Sequence, residues 1–169
     1  MSRRLALLLC FALPGCGLHP LYAGGASAPV AVSLASIKVD PIPERGGWLV
    51  RNALVDRLGS EQGNAPAPRY RLRVELDDSI TGFGIRGDRA ATRERRALRA
   101  RYRLVTVDRG ETVLDATAVA DAGIDVVSSP YATVAAEDSA LERLSGEIAD
   151  QIVARLGLYA TRAGAAPAP

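Results

Sequence analysis

Along three stretches of the chain, apolar and polar residues alternate with a period of two. From Arg69 to Asp77, the residues Tyr70, Leu72, Val74 and Leu76 point one way and Arg71, Arg73, Glu75 and Asp77 the other, as in a strand with one buried face. The pattern runs on less regularly through Ile80, Phe83 and Ile85, where Gly82 and Gly84 predict a bulge. Arg95 to Val107 is a second such strand, with Leu98, Ala100, Tyr102 and Leu104 inward and Arg99, Arg101 and Arg103 outward. Glu111 to Val119 is a third, with Leu114, Ala116 and Ala118 inward. Asp108-Arg109-Gly110 joins the last two as a type I turn whose final glycine is left-handed. Upstream, Ser33 to Val39 reads as a short strand with Ala35, Ile37 and Val39 on one face, stopped by Pro41 and Pro43.

Two segments follow the helical period instead. Trp48 to Leu58 places Leu49, Ala53, Leu54 and Leu58 on one side, and Gly59 ends it. Ser129 as N-cap and Pro130 in the first turn open a long helix. Its stripe of Val134, Leu141, Leu144, Ile148, Ile152 and Leu156 needs no explanation beyond core packing. The order β-α-β-β-β-α predicts an α+β fold over residues 32–162: a two-layer sandwich of two helices on a four-stranded, mostly antiparallel sheet.

The flanks have a different character. Arg3-Arg4, the apolar run Leu5 to Leu13, and Leu13-Pro14-Gly15-Cys16 follow the logic of an export signal. The run is too short to span a bilayer. A Leu three residues before a Cys, with a small Gly directly before it, resembles a bacterial lipobox. Residues 1–15 are therefore expected to be removed and Cys16 to carry lipid, whose several acyl chains give stable anchoring where one does not. Gly17 in place of an Asp points to the outer membrane. Residues 16–31 read as a lipidated tether and 163–169 as a disordered tail. Cys10 leaves with the signal, so no thiol remains for a disulfide.

Charge changes the picture in two ways. Without Arg3 and Arg4 the chain carries 19 basic and 19 acidic residues, which does not favour nucleic acid as a partner. The charge is unevenly spread, however: residues 69–109 hold 12 Arg against six acidic residues, and residues 110–169 hold three Arg against nine. Catalytic chemistry has almost no raw material. The one His, His19, lies in the tether, and there is no phosphate loop, metal-ligand motif or nucleophile elbow. No enzyme activity and no cofactor are expected, and Asp77-Asp78 reads as solvated surface charge.

The Arg-bearing face is the informative feature. With the hairpin turn at Gly87-Asp88-Arg89, Arg73 lies opposite Arg103, Glu75 opposite Arg101 and Asp77 opposite Arg99. From the second turn, Asp115 flanks Arg103 on the far side, leaving Arg71 and Arg73 without an acidic neighbour. Such a face is either a solvated surface of cross-strand ion pairs or an anion site built on Arg71, Arg73 and Arg103.

Several segments together resemble the LPS-assembly lipoprotein LptE family in its alphaproteobacterial form. They are Cys16-Gly17-Leu18-His19-Pro20-Leu21-Tyr22, the helix segment Arg51 to Leu58, and Arg69-Tyr70-Arg71-Leu72. Ala100-Arg101-Tyr102-Arg103-Leu104, Ser129-Pro130-Tyr131-Ala132-Thr133 and Arg155-Leu156-Gly157-Leu158-Tyr159 complete the set. The resemblance implies a non-enzymatic lipoprotein, anchored in the outer membrane, that plugs the lumen of an LptD-type β-barrel. It also implies lipopolysaccharide as a ligand on its way to the cell surface. No ligand residue follows from the resemblance, so the arginines rest on the strand pattern alone. The alternative is a periplasmic adaptor lipoprotein of a lipid-transport or efflux system.

Overall fold

The structure, a computed structural model, describes residues 29–61, 63, 65–85 and 91–165. The signal segment, Cys16, His19, the Gly87-Asp88-Arg89 turn and the last four residues lie outside them. The elements are α1 (Pro29–Ala35), β1 (Ile37–Val39), α2 (Glu44–Leu58), β2 (Tyr70–Ile85), β3 (Ala91–Thr106), β4 (Thr112–Asp125) and α3 (Pro130–Ala165). The sheet order is β1-β2-β3-β4, with β1–β2 parallel and the other two pairs antiparallel. This is the expected α+β sandwich with one helix more than the pattern predicted.

The strand period sorts the sheet into two faces. Leu72, Leu104 and Leu114 line up across three strands on the inner face, followed by Val74, Tyr102 and Ala116, then Leu76, Ala100 and Ala118. In β4 the inward residues from Ala116 to Ala122 are all alanine. Small side chains let α3 lie close on that strand, and its Leu144, Ile148, Ile152 and Leu156 are fully buried there and against α2. Val134 does not belong to this seam; it is 55% exposed.

Five expectations require correction. The predicted strand over Ser33–Val39 is a strand only from Ile37; α1 occupies Pro29–Ala35 and takes in the end of the supposed tether. Its Val30 and Leu34, four residues apart, share the side of the helix that packs on α3, while Val32 is 45% exposed, and the Ser36 amide closes the helix onto the Val32 carbonyl at 3.1 Å. Helix α2 starts at Glu44, ahead of Trp48, because Gly46-Gly47 lowers helix propensity without preventing the helix. The bulge predicted near Gly82 is absent: register runs unbroken to Phe83↔Arg93 and Ile85↔Ala91, and the irregularity falls between Leu104 and Val105 instead. Strand β4 continues past Val119 to Asp125, and α3 runs on to Ala165, into the supposed tail. The turn at Gly110 is as expected, with φ at 68°.

An inward-facing ion pair ties the helix layer to the far end of the sheet. Arg96 Nε and Nη2 donate to the two Asp78 carboxylate oxygens at 2.8 and 2.5 Å, and Nη1 donates to the Glu137 carbonyl of α3 at 2.8 Å. The side chains are 11% and 22% exposed, so Asp78 is not the solvated charge expected, whereas its neighbour Asp77 is exposed on the opposite face.

The glycines of the helix layer divide by packing. A Cβ on Gly47 would stand 2.7 Å from Ile42 Cγ2 and 2.8 Å from the Ile42 backbone. A Cβ on Gly146 would meet only Arg57 Nη2 at 3.6 Å. Gly47→Ala is expected to destabilise the fold by about 1–2 kcal/mol, overpacking outweighing the gain in helix propensity. Gly146→Ala is expected to stabilise it by up to about 1 kcal/mol. Denaturant unfolding of the two variants checks the opposite signs.

Candidate functional site

All three helices pack on the inner side, so the outer face of β2, β3 and β4 is bare. That face carries Arg71, Arg73, Glu75 and Asp77 on β2. It carries Arg93, Arg95, Arg99, Arg101 and Arg103 on β3, and Asp115, Asp121 and Asp125 on β4. The register is the predicted one: Arg73↔Arg103, Glu75↔Arg101, Asp77↔Arg99 and Arg103↔Asp115.

The ion pairs do not follow the direct opposites. Arg101 Nη2 and Nε reach diagonally to Asp115 at 2.9 and 3.3 Å, and Arg103 turns the other way to pair with Glu75. Arg95 pairs with Asp121 at 2.9 Å on a further diagonal, while Arg93 and Asp125 pair directly at 2.9 Å. Long guanidinium stems lean along the strand, and diagonal neighbours lie within their reach.

Arg71 and Arg73 are not without a partner. The parallel register Val39↔Leu72 brings Asp40, the residue after β1, beside both of them. Asp40 Oδ1 lies 3.3 Å from Arg71 Nε, and Oδ2 lies 3.7 Å from Arg73 Nε. One carboxylate therefore serves two guanidiniums, and the three groups keep one net positive charge. The structure brings Arg71, Arg73 and Arg103 together as predicted. The residue that sequence reasoning missed is Asp40, which is joined to them only through the parallel strand pair. Cys16, the other predicted site residue, lies outside the described residues.

The described residues hold no group of three or more potential metal-ligating His, Cys, Asp or Glu side chains. None of their helices is long and apolar enough to cross a membrane. The sheet face offers an array of exposed, fixed charges, which is chemistry for recognising a charged surface. Hydrogen bonds from Arg101 and Arg95 hold the Asp115 and Asp121 carboxyls below their ordinary range. Each titrates lower folded than unfolded, so its pair contributes fully above about pH 4 and is lost as pH falls through the folded value. In Arg101→Gln, the Asp115 midpoint read by carboxyl NMR is expected to move up towards about 3.9, with that of Asp121 unchanged.

Residues 32–156 match the family model LptE, Lipopolysaccharide-assembly. A solved chain described as a lipoprotein from Caulobacter crescentus CB15 is 30% identical, with a TM-score of 0.66; the match covers 83% of this chain and all of that one. The minor lipoprotein from Acinetobacter baumannii is 13% identical, with a TM-score of 0.59 over 73% of this chain and 90% of its own, and shares the fold. So does rare lipoprotein B from Shewanella oneidensis, at 11% identity and a TM-score of 0.53 over 76% of this chain and 96% of its own. No curated protein sequence matches. The sandwich and the family match, which spans both of its layers, lead to one conclusion: this chain belongs to the LptE lipopolysaccharide-assembly family.

Proposed function

We propose that this chain is an outer-membrane lipoprotein that sits in the lumen of an LptD-type β-barrel, helps that barrel assemble, and assists lipopolysaccharide on its way to the surface. The observation that carries this reading is the family match over residues 32–156. The geometry supports it. A helix layer covers one sheet face and leaves the other as a rigid charged surface suited to binding rather than to chemistry. No enzyme activity is part of the proposal. Depletion should lower correctly folded barrel and surface lipopolysaccharide together. Loss of a different transport process with both unchanged would favour the adaptor reading.

In this reading Cys16 carries the lipid and begins the mature chain, held in the outer membrane from the periplasmic side. The lipobox-like Leu13-Pro14-Gly15-Cys16 supports it. Mass spectrometry of the mature protein should find acylated Cys16, and Cys16→Ala should leave a precursor that keeps residues 1–15.

Arg71, Arg73 and Arg103 are the proposed anion-binding group of the same reading. Phosphates of lipid A and its inner core suit guanidinium, which binds them bidentately. Because Asp40 is shared between Arg71 and Arg73, a phosphate competes with half a partner at each rather than with a full ion pair. Arg71→Glu with Arg73→Glu should weaken lipopolysaccharide binding by about tenfold, equal to about 1.4 kcal/mol, and salt should weaken binding to the wild-type chain. Unchanged affinity in a folded double variant would leave this face an ion-paired surface only.

A further inference from the structure

The sheet presents two edges, β4 and the part of β2 that β1 does not cover. At β4, Gln151 of α3 reaches over and donates from Nε2 to the Val119 carbonyl at 3.1 Å, covering an outward backbone group. At β2, the covering strand β1 pairs only with Tyr70, Arg71 and Leu72. The last backbone bond on that side is the Asp40 amide to the Leu72 carbonyl at 3.0 Å. Pro41 then ends the pairing, having no amide hydrogen to give.

Backbone direction alternates along a strand, so the exposed groups can be assigned. The Leu72 carbonyl faces β1, while the Arg69 carbonyl accepts from the Val107 amide on the β3 side. Even-numbered residues of β2 therefore turn their N–H and C=O away from β3. Val74 is only 7% exposed, and beyond it these groups belong to Leu76, Asp78 and Ile80, over about 13 Å of strand. Among the described residues, no group outside β2 and β3 bonds to that outward row. An open edge of this length is a template for another strand, and proteins ordinarily blunt it. The one inward charge that could blunt it, Asp78, is already neutralised by Arg96.

We propose that the β2 edge from Leu76 to Ile80 takes an added strand from the protein partner, so that the sheet is completed by five strands in the assembled state. The inference rests on the barrel reading above, and the strand is an extended luminal segment of that partner. Its side chains follow from the flanking rows. On the inner side it meets half-buried Leu76 and Ile80, which is 42% exposed, and calls for apolar residues. On the outer side it meets Asp77, which makes no ion pair among the described residues, and calls for basic or hydroxyl residues. A second copy of this chain fits poorly. Two-fold pairing over this stretch centres on Asp78 and brings the two Asp77 side chains onto one diagonal of the outer face, where like charges oppose pairing.

The test is hydrogen exchange read residue by residue on the full chain, alone and in the detergent-extracted complex with the barrel. Glu75, Asp77 and Ser79 amides bond to β3 and should be protected in both. Leu76, Asp78 and Ile80 amides should exchange freely alone and slow by about tenfold or more in the complex. Ile80→Pro removes one outward donor while sparing the β2–β3 bonds, and should reduce recovered barrel several-fold. Gln151→Ala, at the other edge, should not. A recovered complex in which the even-numbered amides stay unprotected overturns the strand addition and leaves the barrel reading standing. Failure to recover any barrel overturns both. Protection that grows with concentration in the chain alone assigns the edge to a second copy and overturns the proposal.

Discussion

The fold depends on one constraint, the alternation of side chains along three long strands, in register except for the irregularity between Leu104 and Val105. It sends every large apolar side chain of the Leu72, Leu104 and Leu114 region to one face and the strand arginines, Arg96 excepted, to the other. A single slip by one residue would exchange the faces. Because one face carries the apolar core, both long helices must lie there, and the alanine row of β4 lets α3 approach closely. The outer face is left bare by the same constraint, and the short β1 leaves part of the β2 edge bare as well.

The parts of the fold legible in the sequence are those with a local signal. The alternation of Arg69 to Asp77 and Arg95 to Val107, with a turn placed at Gly87-Asp88-Arg89, gave the register that sets Arg73 against Arg103, and the Gly110 turn the one that sets Arg103 against Asp115. The parts that were not legible depend on tertiary contacts. Val30 and Leu34 share a face in either period, and only docking on α3 decides for a helix. The start of α2 hides behind Gly46-Gly47, glycines required by the close approach of Ile42 and Leu76. Beyond Val119, inward Ala120 and Ala122 alternate too weakly to announce a strand.

The candidate site divides in the same way. The positions of Arg71, Arg73 and Arg103 follow from the strand period, but their partners do not. Asp40 reaches Arg71 from 31 residues away through a parallel pair three residues long, which leaves no trace in local pattern. Arg96 is inward by the same period that places Leu98 and Ala100, and that parity was the signal for its pairing with Asp78. The outcome is a surface on which nearly every charge is answered, with a small positive remainder at Arg71 and Arg73. Such a surface favours an extended, charge-matched partner over a small anion held in a pocket.

The central claim is that this lipoprotein works from inside a barrel, with its helix-free sheet as the working surface. Its most direct test is detergent extraction of native membranes followed by affinity capture of the full chain and mass determination of what it holds. The account predicts one outer-membrane barrel of much larger mass, in equal stoichiometry. Capture of an inner-membrane transporter instead, with no barrel present, would contradict it.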